Sequence, residues 1–192
     1  MDRLAREARA CRVCAEALPM GPRPVFQVHP TARILIASQA PGRIAHESGI
    51  PFQDPSGRRL RHWTGLDEKT FYDPRLVAIL PMGLCYPGRA VGGDAPPRPE
   101  CAPLWRTEFL ERMSNIALTL VIGRHAQAWH LPGPVRSVAE RARDWLDDPG
   151  PVIPLPHPSP RNNAWLERNP WFEDHVVPLL RRRVNRVLGR PR

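Results

Sequence analysis

Lysine is almost missing from this chain of 192 residues: Lys69 is the single one among 28 lysines and arginines. No apolar run approaches the roughly 18 residues that a bilayer-spanning helix needs, so no such helix is expected. The opening stretch, MDRLAREARACRVC, is charged and lacks the apolar core of an export signal. No internal repeat or low-complexity linker breaks the chain, which excludes a repeat architecture. These absences predict a soluble protein without an export signal. The length fits a single domain over residues 1–192. With 42% hydrophobic residues there is enough apolar material for a buried core despite 25 prolines.

What is abundant is positive charge. Lysine plus arginine number 28 against 19 aspartates and glutamates, a formal net charge of +9. Arginine's planar fork suits bidentate contacts to phosphate. Choosing arginine over lysine carries no functional message, because a GC-rich genome has the same effect. The excess of cations does: it points to a polyanionic partner, nucleic acid first.

Residues 2–16 read as a short amphipathic helix carrying Cys11 and Cys14. After the proline-rich connection Leu18–Pro30, the run Ala32–Ala37 reads as a buried strand entering a loop at Pro41–Gly42. Similar runs recur at Leu76–Met82, Leu118–Gly123 and Val152–Leu155. Helical stretches fall near 58–66, 103–114, 124–130 and 135–146. A final helix starts after Asn169–Pro170 and runs to about Leu188, with a kink expected at Pro178. Strands alternating with helices predict a three-layer α/β/α sandwich around a mostly parallel four-stranded sheet. Ligands bind such sheets beyond the carboxyl ends of the strands. Ser38–Gly42 and His157–Pro160 lie there.

The four cysteines stand at 11, 14, 85 and 101. Without an export signal a disulfide framework is improbable. Four thiolates, two of them in a C-x2-C pair, suit zinc or an iron–sulfur cluster. A redox pair, or two buried apolar cysteines unrelated to the first two, are the competing readings.

Three features now coincide in order. The strand Ile34–Ala37 runs into SQAPGR, then comes Ile50–Pro51–Phe52, and late in the chain HPSP at 157–160 precedes Arg161–Asn162. Together with the cysteine spacing this resembles the iron–sulfur branch of the uracil-DNA glycosylase superfamily, from Cys11 to about Val184. The resemblance implies a monofunctional enzyme that flips uracil or a related deaminated base out of DNA and hydrolyses its N-glycosidic bond, starting base excision repair. It implies a bacterial, cytoplasmic, nucleoid-associated protein, active as a monomer and without a membrane partner. It also implies a structural [4Fe-4S] cluster on Cys11, Cys14, Cys85 and Cys101, with zinc as the alternative.

The chemistry makes sense of these residues. A base to be excised is extruded and held by stacking and edge hydrogen bonds. Positive charge then grows on the sugar and negative charge on the departing base, so a donor aimed at that base favours the transition state. His157 is the candidate donor, against a loop histidine capping the backbone. Phe52 would stack on the base, against ordinary core packing. Gln39, Ala40, Pro41 and Gly42 would line the pocket, Gly42 allowing close approach. Ser159, Arg161 and Asn162 resemble the loop that presses into DNA, against a solvated loop. With Lys69 as the one lysine, and in no motif, Schiff-base chemistry is not expected.

Two departures stand out. The family usually supplies a water-positioning carboxylate or asparagine from the first motif, whereas here Gln39 and Ala40 stand in that place. Asp54, in PFQDPSG, is the expected replacement, against an Asx turn before Pro55–Ser56–Gly57. Glu47 is the reserve, and Gln39 can only orient water. Second, an asparagine that reads the uracil edge is replaced by Ile79–Leu80–Pro81–Met82–Gly83. Backbone groups, or Asn162 and Asn163, would have to substitute, and a broadened base preference is expected. Arg89 and Arg98 in the cysteine-bracketed loop are expected near phosphates. His46 keeps covalent trapping open without predicting it. The basic segment Arg181–Arg192 reads as a solvated helix face. A non-catalytic binder of uracil-containing or damaged DNA is the alternative function. A metal-stabilised hydrolase of another nucleoside-like substrate conflicts with the +9 charge.

Overall fold

The computed structural model describes residues 1–134 and 136–190. Val135, where the helix expected over 135–146 begins, and Pro191–Arg192 of the basic terminal segment lie outside them. In chain order the strands are β1 (Ile34–Ala37), β2 (Val77–Ile79), β3 (Arg89–Ala90), β4 (Gly93–Asp94), β5 (Leu118–Ile122) and β6 (Val152–Leu155). The α-helices are α1 (Asp2–Arg9), α2 (Arg43–Ser48), α3 (Pro55–Thr64), α4 (Glu68–Phe71), α5 (Cys101–Glu111), α6 (Gly123–His130), α7 (Val138–Asp147), α8 (Asn163–Arg168) and α9 (Val177–Leu188).

Four strands form one sheet in the order β2-β1-β5-β6. Every pairing is parallel, with Ile36 opposite both Ile79 and Leu120, and Leu120 opposite Ile153. Parallel strands are buried on both faces, which is why they read as continuous apolar runs. The period of two divides their side chains cleanly. Ile34 and Ile36 join Trp63, Leu60, Trp145 and Leu180 on one face, from α3, α7 and α9. Leu35 joins Leu4, Phe26 and Phe109 on the other, with α1 and α5. The expected three-layer α/β/α sandwich is therefore the fold. The chain steps from β1 outward to β2, then crosses to β5 on β1's other side. That reversal opens a crevice at the carboxyl ends of the strands.

Several boundaries differ from expectation for local reasons. The first helix stops at Arg9 instead of running to residue 16. Cys11 and Cys14 follow it in turns, so the pair is not on a helix. The helix expected from residue 58 starts at Pro55, because Asp54 caps it and proline fits a first turn. Pro178 lies within a helical run from Trp171 to Leu188. It stands in the first turn of α9, directly after a π-helical turn over Phe172–Val176, where its missing N–H is least costly. The hairpin β3–β4 and the short helices α2, α4 and α8 were not foreseen.

Candidate active site

A cleft of about 680 Å³ opens at the carboxyl ends of β1, β2 and β6. It gathers the loop after β1, the 51–56 turn, the β3–β4 hairpin and the loop after β6. Gln39, Ala40, Pro41, Gly42, Phe52, Asp54, His157, Ser159, Arg161 and Asn162 all line it, so residues up to 123 positions apart in the chain share one wall.

His157 is fixed by its own loop. The Ser159 backbone N–H donates to His157 Nδ1 at 3.2 Å, and Asn162 Nδ2 donates to the His157 carbonyl at 2.7 Å. Since Nδ1 accepts, the hydrogen of the neutral ring sits on Nε2. Burial holds the imidazole below its usual pKa and Arg161 adds to this, while the carboxylates of Asp54 and Asp94 pull the other way. The loop is clamped to α3 by Arg59, which donates to the Ser159 carbonyl at 3.2 Å and to Asn163 Oδ1 at 2.7 Å.

Phe52 adopts φ 56°, the only positive φ at a non-glycine residue among the described ones. Such a conformation costs of order 1–3 kcal/mol and persists only where its surroundings over-determine it. Here Tyr72 Oη donates to the Phe52 carbonyl at 3.2 Å. The same carbonyl presses on Gly57, where a Cβ would stand 1.6 Å from the oxygen. The Phe52 ring, half-buried, meets Phe71 edge-on at 6.3 Å.

Asp54 both caps and faces the cleft. Its Oδ1 accepts from the Gly57 N–H at 2.9 Å, the Asx-type bond that the sequence allowed. Glu47, the reserve carboxylate, lies off the cleft and pairs with Arg43 at 2.7 Å. A carboxylate not anticipated, Asp94 on β4, also lines the cleft and approaches Gly42. No sequence signal marks it, because its position depends on a two-residue hairpin. Gln39 is tied down: Nε2 donates to the Ala95 carbonyl at 3.1 Å, and its backbone carbonyl accepts from Gly83 at 2.9 Å. His46 is buried beside Tyr86, 6.1 Å between rings, and does not line the cleft.

At the end of β2 the floor of the cleft is apolar, formed by Ile79 and Pro81. The N–H groups of Leu80, Met82 and Gly83 donate to the carbonyls of Ile36, Ser38 and Gln39, and proline has none. The carbonyls of Leu80 and Pro81 accept from Arg106 at 2.8 and 3.3 Å. Backbone amides there are thus not free to take the place of the expected asparagine. Asn163 is held by Arg59, and Asn162 by the His157 carbonyl. Arg106 itself is buried without a carboxylate partner. Desolvation lowers it to about 10, and it donates to His130, whose own pKa burial lowers to about 4.

Among the basic residues, Arg89 and Arg161 line the cleft, but Arg98 turns away. It pairs with Glu100 at 2.7 Å and lines a small second cavity. In the terminal segment, Arg181 donates to the His62 carbonyl and Arg183 to that of Pro149.

That second cavity is walled by all four cysteines, none in a disulfide. The Leu84 N–H donates to Cys101 Sγ at 3.2 Å. Burial pushes Cys85 up to about 12 and Cys101 up to about 11 as bare thiols. No three histidine, cysteine or acidic side chains among the described residues are grouped closely enough to hold a metal ion as they stand.

The parallel α/β sandwich thus brings an aromatic ring, a histidine and two carboxylates together around a cleft at its strand ends. Residues 25–181 match the family model of the Uracil DNA glycosylase superfamily, and the chain belongs to that superfamily. No helix among the described residues is long and apolar enough to cross a membrane.

Proposed function

We propose that the protein is a monofunctional DNA glycosylase that extrudes uracil, or a related deaminated base, and hydrolyses its N-glycosidic bond. The observation that carries this reading is His157, with Nδ1 committed to Ser159 and the cleft lined by Phe52 and two carboxylates. Phe52 stacks on the extruded base. His157 donates from Nε2 to the base oxygen that gains charge as the C1′–N bond breaks and its electron pair passes to the base. A water attacks C1′ and gives its proton to Asp54, whose Oδ2 is not used by the cap. Ser159, Arg161 and Asn162 meet the strand where the base leaves. The apolar floor at Ile79 and Pro81 supports a base preference wider than uracil alone.

Cys11, Cys14, Cys85 and Cys101 hold a [4Fe-4S] cluster that ties α1's end, the β2–β3 connection and α5 together. The cavity walled by all four cysteines and the Leu84 N–H donor on Cys101 Sγ support it over zinc. Iron and acid-labile sulfide in stoichiometric amounts in protein purified without oxygen test this.

A second reading, a non-catalytic binder of damaged DNA, is favoured by one observation: Asp54 Oδ1 is spent on the helix cap. Labelled oligonucleotides carrying uracil, hypoxanthine or xanthine, single- and double-stranded, separate the two. Release of any of these bases supports the enzyme. Retention on such DNA with no release of any base supports the binder.

A further inference from the structure

Beyond Asp94, which lines the cleft, the β3–β4 hairpin has no part in the chemistry just proposed, yet it forms one lip of the cleft. Its strands pair only at Arg89–Asp94 and Ala90–Gly93, and it is held at its base. Ala95 N–H donates to the Gly88 carbonyl at 2.9 Å, while Gln39 Nε2 donates to the Ala95 carbonyl. From the facing lip Arg161 reaches across, its Nη1 standing 2.9 Å from where a Gly93 Cβ would be. The turn is Val91–Gly92, with Gly92 at φ 83° supplying the left-handed residue. Turn tips ordinarily carry glycine, proline or small polar residues. Here the tip is Val91, 107% exposed, more than any other large apolar side chain among the described residues.

We propose that Val91 is a wedge that enters the base stack of duplex DNA beside the extruded nucleotide, with Arg89 and Arg161 holding phosphates on either side. This rests on the DNA-binding part of the reading above. Three features point to it: an aliphatic group in full contact with water, a hairpin tied down at its base, and two cleft-lining arginines on its flanks. Apolar side chains inserted between base steps unstack them, and arginines beside them neutralise the backbone. A single strand has no such stack to enter, so the wedge acts on duplexes only.

The test uses binding, not base release. The probe is a duplex carrying a tetrahydrofuran abasic analogue with 2-aminopurine as its neighbour, whose fluorescence rises when it unstacks. Wild-type protein is expected to bind and raise the fluorescence. Val91→Ala removes the two methyl carbons that would be buried in the stack, so duplex Kd rises about tenfold. The fluorescence rise is lost, affinity for the matching single strand is unchanged, and Val91→Leu restores both duplex signals. The wedge is overturned if the wild type does not bind the duplex, or if Val91→Ala matches it in affinity and fluorescence. Equal loss on single and double strands overturns it too. Because the probe has no base to excise, the glycosylase reading stands or fails separately, on the release assay.

Discussion

The backbone N–H of Ser159 points at Nδ1 of His157 across 3.2 Å, and this bond decides which ring nitrogen presents a hydrogen to the cleft. A neutral imidazole so fixed is a directional donor that needs no protonation to act. Removing one such donor from a site that stabilises developing negative charge costs about 10²–10³ in rate. His157→Ala is therefore expected to slow base release by about that factor while leaving DNA affinity within a few-fold. Equal losses in affinity and rate would show that His157 serves binding.

The pH dependence follows from the same burial. His157 lies below its ordinary pKa of 6.5, so the neutral donor persists into mild acid. The acidic limb of the release rate is expected below about pH 6.5. A limb at or above that value would mean that the imidazole is not buried as described.

Asp54 has two duties that one substitution separates. Asparagine caps a helix as well as aspartate, so Asp54→Asn keeps the bond to the Gly57 N–H and the thermal midpoint. It loses the proton acceptor, and release falls by about 10²-fold or more. Asp54→Ala loses the cap as well, about 1 kcal/mol. If Asp54→Asn releases base at the wild-type rate, Asp94 is the carboxylate to replace next.

Gly57 shows what holds Phe52 in its left-handed conformation. A Cβ at 57 collides with the Phe52 carbonyl at 1.6 Å, and that carbonyl cannot move without breaking its bond from Tyr72. Gly57→Ala is expected to destabilise the fold by about 3 kcal/mol or more, measured by urea unfolding. A loss under about 0.5 kcal/mol would show that the turn relaxes freely.

Much of this was legible in the sequence, for identifiable reasons. The sheet was readable because its strands are buried on both faces and so form unbroken apolar runs. The cleft was readable because its two main loops are marked by SQAPG and HPSP. What escaped notice depends on tertiary contacts. Asp94 enters the cleft by way of a hairpin too short to show any period. Arg106, buried under the end of β2, looks in the sequence like one more surface arginine of a basic chain. The cysteine pair at 11 and 14 was placed on a helix because charge and alanine continue the pattern past Arg9. The chain instead turns there, and both cysteines reach the cavity of Cys85 and Cys101.

Histidines shielded from water contribute to the acid sensitivity of the fold. Burial lowers the pKa of His46, His125, His130 and His157, with His130 at about 4. The unfolded chain takes up these protons near pH 6.5 while the native state resists, so it binds more protons throughout that interval. Their contribution to stability is therefore full above about pH 6.5 and is lost towards pH 4. His130→Gln keeps an acceptor for Arg106 and removes the titration, so its stability–pH curve between those values is expected to be flatter. An unchanged slope would mean that His130 is already protonated in the folded protein.

The most direct test of the central claim is single-turnover release of uracil from a labelled oligonucleotide by wild type, His157→Ala and Asp54→Asn, each shown to be folded and to bind the same DNA. Release by the wild type, with both variants at least about 10²-fold slower, is the predicted result. A wild type that binds the oligonucleotide and releases neither uracil nor any other deaminated base would contradict it.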